Sequence, residues 1–159
     1  MKIALGADHA GYELKDKIQQ HLRQKGLEVQ DEGTSSGESV DYPDYARRVA
    51  QDVSHGRADL GILVCGSGIG MAITANKVSG VRAANVCSEY QAQMSREHNN
   101  ANVLTLGARI VKEGEALRIV DTWLATAFAG GRHERRVEKI AAVEREEPRT
   151  VAPPARTKS

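Results

Sequence analysis

The sequence predicts one α/β domain built on a parallel sheet. Short apolar runs alternate with longer stretches of helical period, which is the pattern of repeated βαβ units. The most apolar run, Leu60-Gly61-Ile62-Leu63-Val64, lies mid-chain and lacks the polar alternation of a half-exposed strand, so it is read as the central strand. With 159 residues the chain holds enough material for one complete core and too little for two.

Each element has a local reason. The first strand is read over 2–6, followed by a helix whose apolar face is Leu14, Ile18 and Leu22 and which Gly26 closes as a C-cap. A second strand spans 27–31, then a loop rich in Gly, Ser and Glu runs through 32–40. Tyr42-Pro43 introduces a helix over 45–53. After the central strand, a glycine turn at 66–70 leads into a helix at 71–78, a strand at 81–86, a helix at 88–98 and a fifth strand at 103–106. Leu117, Val120, Trp123, Leu124 and Ala127 mark the core face of a helix at 113–128, which Gly130-Gly131 breaks. A last, charged helix over 133–146 completes a domain of residues 1–146. Residues 147–159, with Pro148 and two further prolines and no apolar period, read as a tail without its own core.

Bulk properties narrow the function. Lys and Arg number 22 against 21 Asp and Glu, so no global field gathers nucleic acid or an acidic membrane, and any anion must be captured locally. Aromatic residues at 4% are too few for a base-stacking platform. The sequence opens on a strand rather than a signal peptide and has no apolar run of membrane-spanning length, which points to the cytoplasm. Cys65 and Cys87 are then expected as free thiols.

In parallel α/β sheets ligands bind beyond the carboxyl ends of the strands, so the residues that follow each strand are the candidates. Asp8-His9 follows the first strand; a turn or cap role for Asp8 is its plain structural reading. Cys65-Gly66-Ser67-Gly68-Ile69-Gly70 follows the third, and its alternate glycines are expected to let amides face inward as an anion nest. This is neither a dinucleotide fingerprint, whose third glycine would fall at Met71, nor a P-loop, which needs a closing Gly-Lys-Ser/Thr. Cys65, at the lip of that nest, is either a base or nucleophile favoured as thiolate or a small core residue. Cys87 has no nest after it and is expected in the core. His98-Asn99-Asn100 is a polar cluster or merely a C-cap and turn. Arg109 follows the fifth strand. Arg132 and Arg136, one helical turn apart, suit a phosphate or form a solvated helix end. No spacing of His, Cys and carboxylate matches a metal site, so neither metal nor cofactor is expected. His21 and His55 receive no role.

Taken together, Gly6-Ala7-Asp8-His9-Ala10-Gly11, Asp41-Tyr42-Pro43, Cys65 through Gly70, Ala75-Asn76-Lys77, Arg96-Glu97-His98-Asn99 and Gly130-Gly131-Arg132-His133 resemble the type B ribose-5-phosphate isomerase family, which also holds galactose-6-phosphate isomerase subunits. The resemblance runs from residue 1 to about 146. It implies a three-layer, Rossmann-like α/β/α fold with a five-stranded parallel sheet in the order 2-1-3-5-4. It also implies a homodimer with sites at the subunit interface, or a tetramer of such dimers, and a metal-free aldose–ketose isomerisation of a sugar phosphate, with ribose 5-phosphate foremost.

By resemblance, Cys65 removes the C2 proton, the amides of Gly66, Gly68, Ile69 and Gly70 hold a cis-enediolate, and Ser67 moves protons between O1 and O2. Asp8 and His98 open the furanose ring. His9, Arg132 and Arg136 hold the phosphate with Arg109 nearby, while Tyr42 and Asn99 line the pocket. Some members carry a glutamate base where this chain has Met71; Cys65 together with Met71 places it on the cysteine side. The rivals are an isomerase of allose 6-phosphate or galactose 6-phosphate and a non-enzymatic phosphosugar-binding protein.

Overall fold

A computed structural model describes residues 1–146; the tail expected over 147–159 lies outside the described residues. The elements are β1 (Lys2–Ala7), α1 (Tyr12–Gln24), β2 (Glu28–Asp31), α2 (Tyr42–Ser54), β3 (Leu60–Cys65), α3 (Ile69–Ala75), β4 (Ala83–Asn85), α4 (Glu89–Glu97), β5 (Val103–Gly107), α5 (Glu113–Ala125) and α6 (Arg132–Arg145). All strand pairs are parallel and the sheet order is β2-β1-β3-β5-β4, as the resemblance implied.

The apolar runs are buried on both faces because the crossovers lay helices on both. One core packs Leu14, Ile18 and Leu22 of α1 and Ile119, Val120 and Trp123 of α5 against Ile3, Leu5, Ile62 and Leu104. The opposite core packs Ala46, Val49 and Ala50 of α2 and Met71 and Ala75 of α3 against Ala4, Leu63 and Val103. β3 is wholly buried, and its registers, Ala7 with Val64 and Cys65 with Gly107, set the ends of β1, β3 and β5 at one level.

Several boundaries differ from expectation for local reasons. α2 begins three residues early, at Tyr42, because Asp41 is the N-cap and Pro43 sits in the first turn. α3 spans only seven residues, since Asn76 leaves the helix and brackets Ala83, donating to its carbonyl at 2.9 Å and accepting from its amide at 2.7 Å. β4 shrinks to three residues. The Arg82 amide is claimed by Asn102 Oδ1 instead, and Cys87 falls beyond the strand. Cys87 is therefore exposed, not in the core, with its amide donating to Gln91 Oε1 at 2.9 Å. α5 stops at Ala125, where Thr126 turns extended and its hydroxyl donates to the Thr122 carbonyl at 2.7 Å.

Candidate active site

At the carboxyl edge of the sheet, β1, β3 and β5 deliver Asp8, Cys65 and Arg109 side by side. Asp8 is 6% exposed, and its Oδ1 accepts the amides of Ala10 at 3.0 Å and Gly11 at 3.1 Å. The carboxylate thus makes the turn into α1, while Oδ2 accepts no hydrogen bond among the described residues. His9 Nδ1 accepts the Val40 amide at 3.2 Å, so the neutral ring carries its proton on Nε2, which is left to donate.

Cys65 closes β3 at 5% exposure, and its Sγ accepts the Gly68 amide at 3.1 Å. Ser67 Oγ accepts the Ile69 amide at 3.2 Å. The amides of Gly66, Ser67 and Gly70 donate to nothing among the described residues. α3 has barely two turns, so its dipole is small and the loop amides carry the electropositive character.

The glycines of this loop differ in purpose from the expectation. Only Gly68 has a positive φ, +79°, as the N-cap of α3. Gly66 and Gly70 make room: a Cβ on Gly66 would stand 3.0 Å from Arg109 Nη1, and one on Gly70 would stand 2.5 Å from the Tyr42 ring. Arg109 and Tyr42 are thereby seated on the loop. Met71 points into the core and is fully buried.

The remaining candidates lie elsewhere. His98 is the C-cap of α4, so it and Asn99 stand at the amino edge of the sheet, before β5. Val103 is level with Gly61, four residues short of Cys65, so about 13 Å of strand separates the two edges. His98 stacks on His133, with ring centroids 4.2 Å apart and planes within 10°. Loss of solvent around the His133 ring, then the neighbouring His98, Arg132 and Arg136, lowers its pKa below the ordinary value, with Glu97 opposing. Arg132 and Arg136 on the first turns of α6 are exposed and take part in no salt bridge among the described residues. One chain thus brings together Asp8, His9, Tyr42, Cys65, Ser67, the loop glycines, Ile69 and Arg109, and holds His98, Asn99, Arg132 and Arg136 apart.

Arg96 fixes the second group. Its guanidinium lies 5.4 Å over Trp123 and donates to the Ala101 carbonyl at 2.6 Å and the Thr126 carbonyl at 3.3 Å, joining α4 to α5 and the β5 entry. Two cavities among the described residues, about 730 and 570 Å³, do not include Cys65; the first is bordered by Asn99 at the amino edge and the second by Arg109 at the carboxyl edge. Strand-end chemistry, not cavity size, marks the site here.

Comparison with known proteins decides the family. A model described as Ribose/Galactose Isomerase matches residues 3–140. The chain belongs to that family, in its type B ribose-5-phosphate isomerase branch. The ribose-5-phosphate isomerase B of Escherichia coli K12 is 54% identical over 144 residues, covering 90% of this chain and 96% of that protein. The ribose-5-phosphate isomerase B structure from Clostridium thermocellum superposes with a TM-score of 0.91 at 54% identity, covering 91% of this chain and 98% of that one. The Mycoplasma genitalium ribose-5-phosphate isomerase B structure, with bound ribulose-5-phosphate, superposes at 0.88 with 46% identity, covering 92% and 97%. Within this family fold, His133 and Asn85 are additions that sequence reasoning gave no role. Neither a ring stack nor a contact between separate strands leaves a local signal.

Proposed function

We propose that the protein interconverts ribose 5-phosphate and ribulose 5-phosphate through a cis-enediolate, with Cys65 as the carbon base and no metal. The observation that carries this reading is the Gly68 amide on Cys65 Sγ, in a loop whose other amides at Gly66, Ser67 and Gly70 have no acceptor among the described residues, which supports a sulfur base with an oxyanion cradle beside it. A hydroxyl proton passes from O1 through Asp8 or His98 as the ring oxygen is protonated, giving the linear aldehyde. The thiolate takes the C2 proton, the C–H electrons form the C1=C2 bond, and the charge rests on O1 against the amides of Gly66 to Gly70. Ser67 relays the O2 proton to O1, and the thiol returns its proton to C1 as the C1=C2 electrons form the C1–H bond and O2 becomes the ketone oxygen, which completes the ketose. His9, Arg132 and Arg136 grip the phosphate, with Arg109, Tyr42 and Asn99 lining the chain between.

Because His98 and the arginine pair stand a strand length from Cys65, each complete site takes Cys65 from one protomer and His98 from a second copy across a two-fold axis. Such an enzyme works in the cytoplasm. The test is a coupled assay of purified protein on ribose 5-phosphate, allose 6-phosphate and galactose 6-phosphate after exhaustive EDTA treatment. Preferred turnover of ribose 5-phosphate, undiminished by EDTA, is expected. Preference for a hexose phosphate overturns the substrate, metal-restored activity overturns the mechanism, and binding without turnover overturns the enzyme.

A further inference from the structure

We propose that Thr105 and Asn85 are positioning residues for the base: together they hold the Ser67–Gly68 peptide so that its N–H points at Cys65 Sγ. The inference rests on the reading of Cys65 as the carbon base and extends it to two residues outside the loop. Thr105 is the polar member of β5, fully buried between Leu104 and Leu106, and so needs a partner for its hydroxyl. That partner is Asn85 at the end of β4, whose Oδ1 accepts the hydroxyl at 3.0 Å. With Oδ1 engaged, the amide nitrogen of Asn85 faces the loop and donates to the Ser67 carbonyl at 3.4 Å.

The Ser67 carbonyl and the Gly68 N–H belong to one peptide plane, and in a trans peptide they point in opposite directions. Anchoring the oxygen toward Asn85 therefore aims the hydrogen at Cys65, where it is found, 3.1 Å from Sγ. Such an anchor is needed because glycine at 68 makes rotation of that plane cheap. Space confirms how closely the brace is fitted. A Cβ on Gly68 would stand 2.2 Å from Asn85 Oδ1, and one on Gly107 would stand 2.7 Å from the Ser67 oxygen.

The experiment compares Thr105→Val, which keeps shape and removes the hydroxyl, with Thr105→Ser, which keeps the hydroxyl. Asn85→Ala at an exposed position is the third variant. Two readouts are taken: kcat and KM on ribose 5-phosphate, and the rate of Cys65 alkylation by iodoacetamide at neutral pH, resolved from exposed Cys87 by peptide mass spectrometry. Thr105→Val and Asn85→Ala are expected to lower kcat by ~10–10²-fold with KM little changed, because the phosphate grip is remote. Both should slow Cys65 alkylation several-fold, and Thr105→Ser should restore both quantities. The brace is overturned if the valine variant alkylates at the wild-type rate or faster, or if serine is as damaging as valine. Should the valine variant fail to fold, Asn85→Ala decides alone by the same two readouts. Absence of isomerase activity in the wild type, with the alkylation difference intact, refutes the proposed function and upholds the brace.

Discussion

Mixing two inactive variants should restore activity if sites are shared between subunits. Cys65 ends β3, whereas His98 precedes β5, and the register puts about 13 Å of strand between their levels. No side chain spans that gap to share one sugar carbon, so the proposed site takes its His98 from another copy. Cys65→Ala and His98→Ala homodimers should each lose ~10²–10⁴-fold in kcat, the usual worth of a positioned acid or base. Once their subunits exchange, about half of the dimers are mixed, and each mixed dimer has one intact site and one doubly damaged site. Roughly a quarter of the wild-type activity should therefore return. The assay is turnover of ribose 5-phosphate before and after mixing, with exchange verified by native mass spectrometry on tagged chains. If proven exchange restores nothing, His98 serves its own chain or is not catalytic, and the shared site falls.

Cys65→Ser should lower kcat ~10²–10⁴-fold while still binding inorganic phosphate, and substrate should protect wild-type Cys65 from alkylation; a variant keeping more than about a tenth of kcat removes the base assignment. The double variant Arg132→Ala, Arg136→Ala should lose ~10–10²-fold in kcat/KM, mostly in KM, with phosphate no longer competing well in steady-state kinetics. An unchanged kcat/KM would make the arginines a solvated helix end. His133 has a lower pKa folded than unfolded, so on acidification the unfolded chain takes up the proton first. Thermal stability should be level above about pH 6.5 and fall below it, and His133→Asn should flatten that fall in a melting series from pH 8 to 5. An unaltered slope would exonerate the stack.

The sheet was legible because each strand of a doubly covered parallel sheet is an unbroken apolar run, and β1, β3 and β5 carry that signal in a few residues each. β4 was overread by half. Val81 and Val86 are apolar and buried, but Arg82 spends its amide on Asn102 and the ladder stops at Asn85. The carboxyl-edge half of the candidate site was legible for the same topological reason, since Asp8, Cys65 and Arg109 each lie at or just past the carboxyl end of a strand. The amino-edge half was legible only as motif, because nothing local to His98 says that it will stack on a ring thirty-five residues later. Asn85 and Thr105 were invisible, being two ordinary polar residues on different strands until the sheet pairs Asn85 with Thr105 in register.

The loop from Cys65 to Gly70 shows why glycine spacing alone misleads about mechanism. Three alternate glycines suggest a backbone that turns freely, yet a single positive φ, at Gly68, does all the turning. The other two are small because large side chains must lie on them. Arg109 rests on Gly66 from β5 and Tyr42 rests on Gly70 from α2, while Asn85 from β4 fills the space beside Gly68. A Cβ at any of the three would therefore act on a different partner. At Gly66 it meets the far end of a flexible arginine, at Gly70 a ring held by its helix, and at Gly68 a braced amide together with the Leu106 backbone. Tolerance to alanine should follow that order, because the cost of overpacking depends on whether the neighbour can move. The same asymmetry says where the loop has least room: the peptide that contacts the sulfur is boxed in by Asn85 and the Leu106 backbone, whereas Gly66 faces only the far end of Arg109.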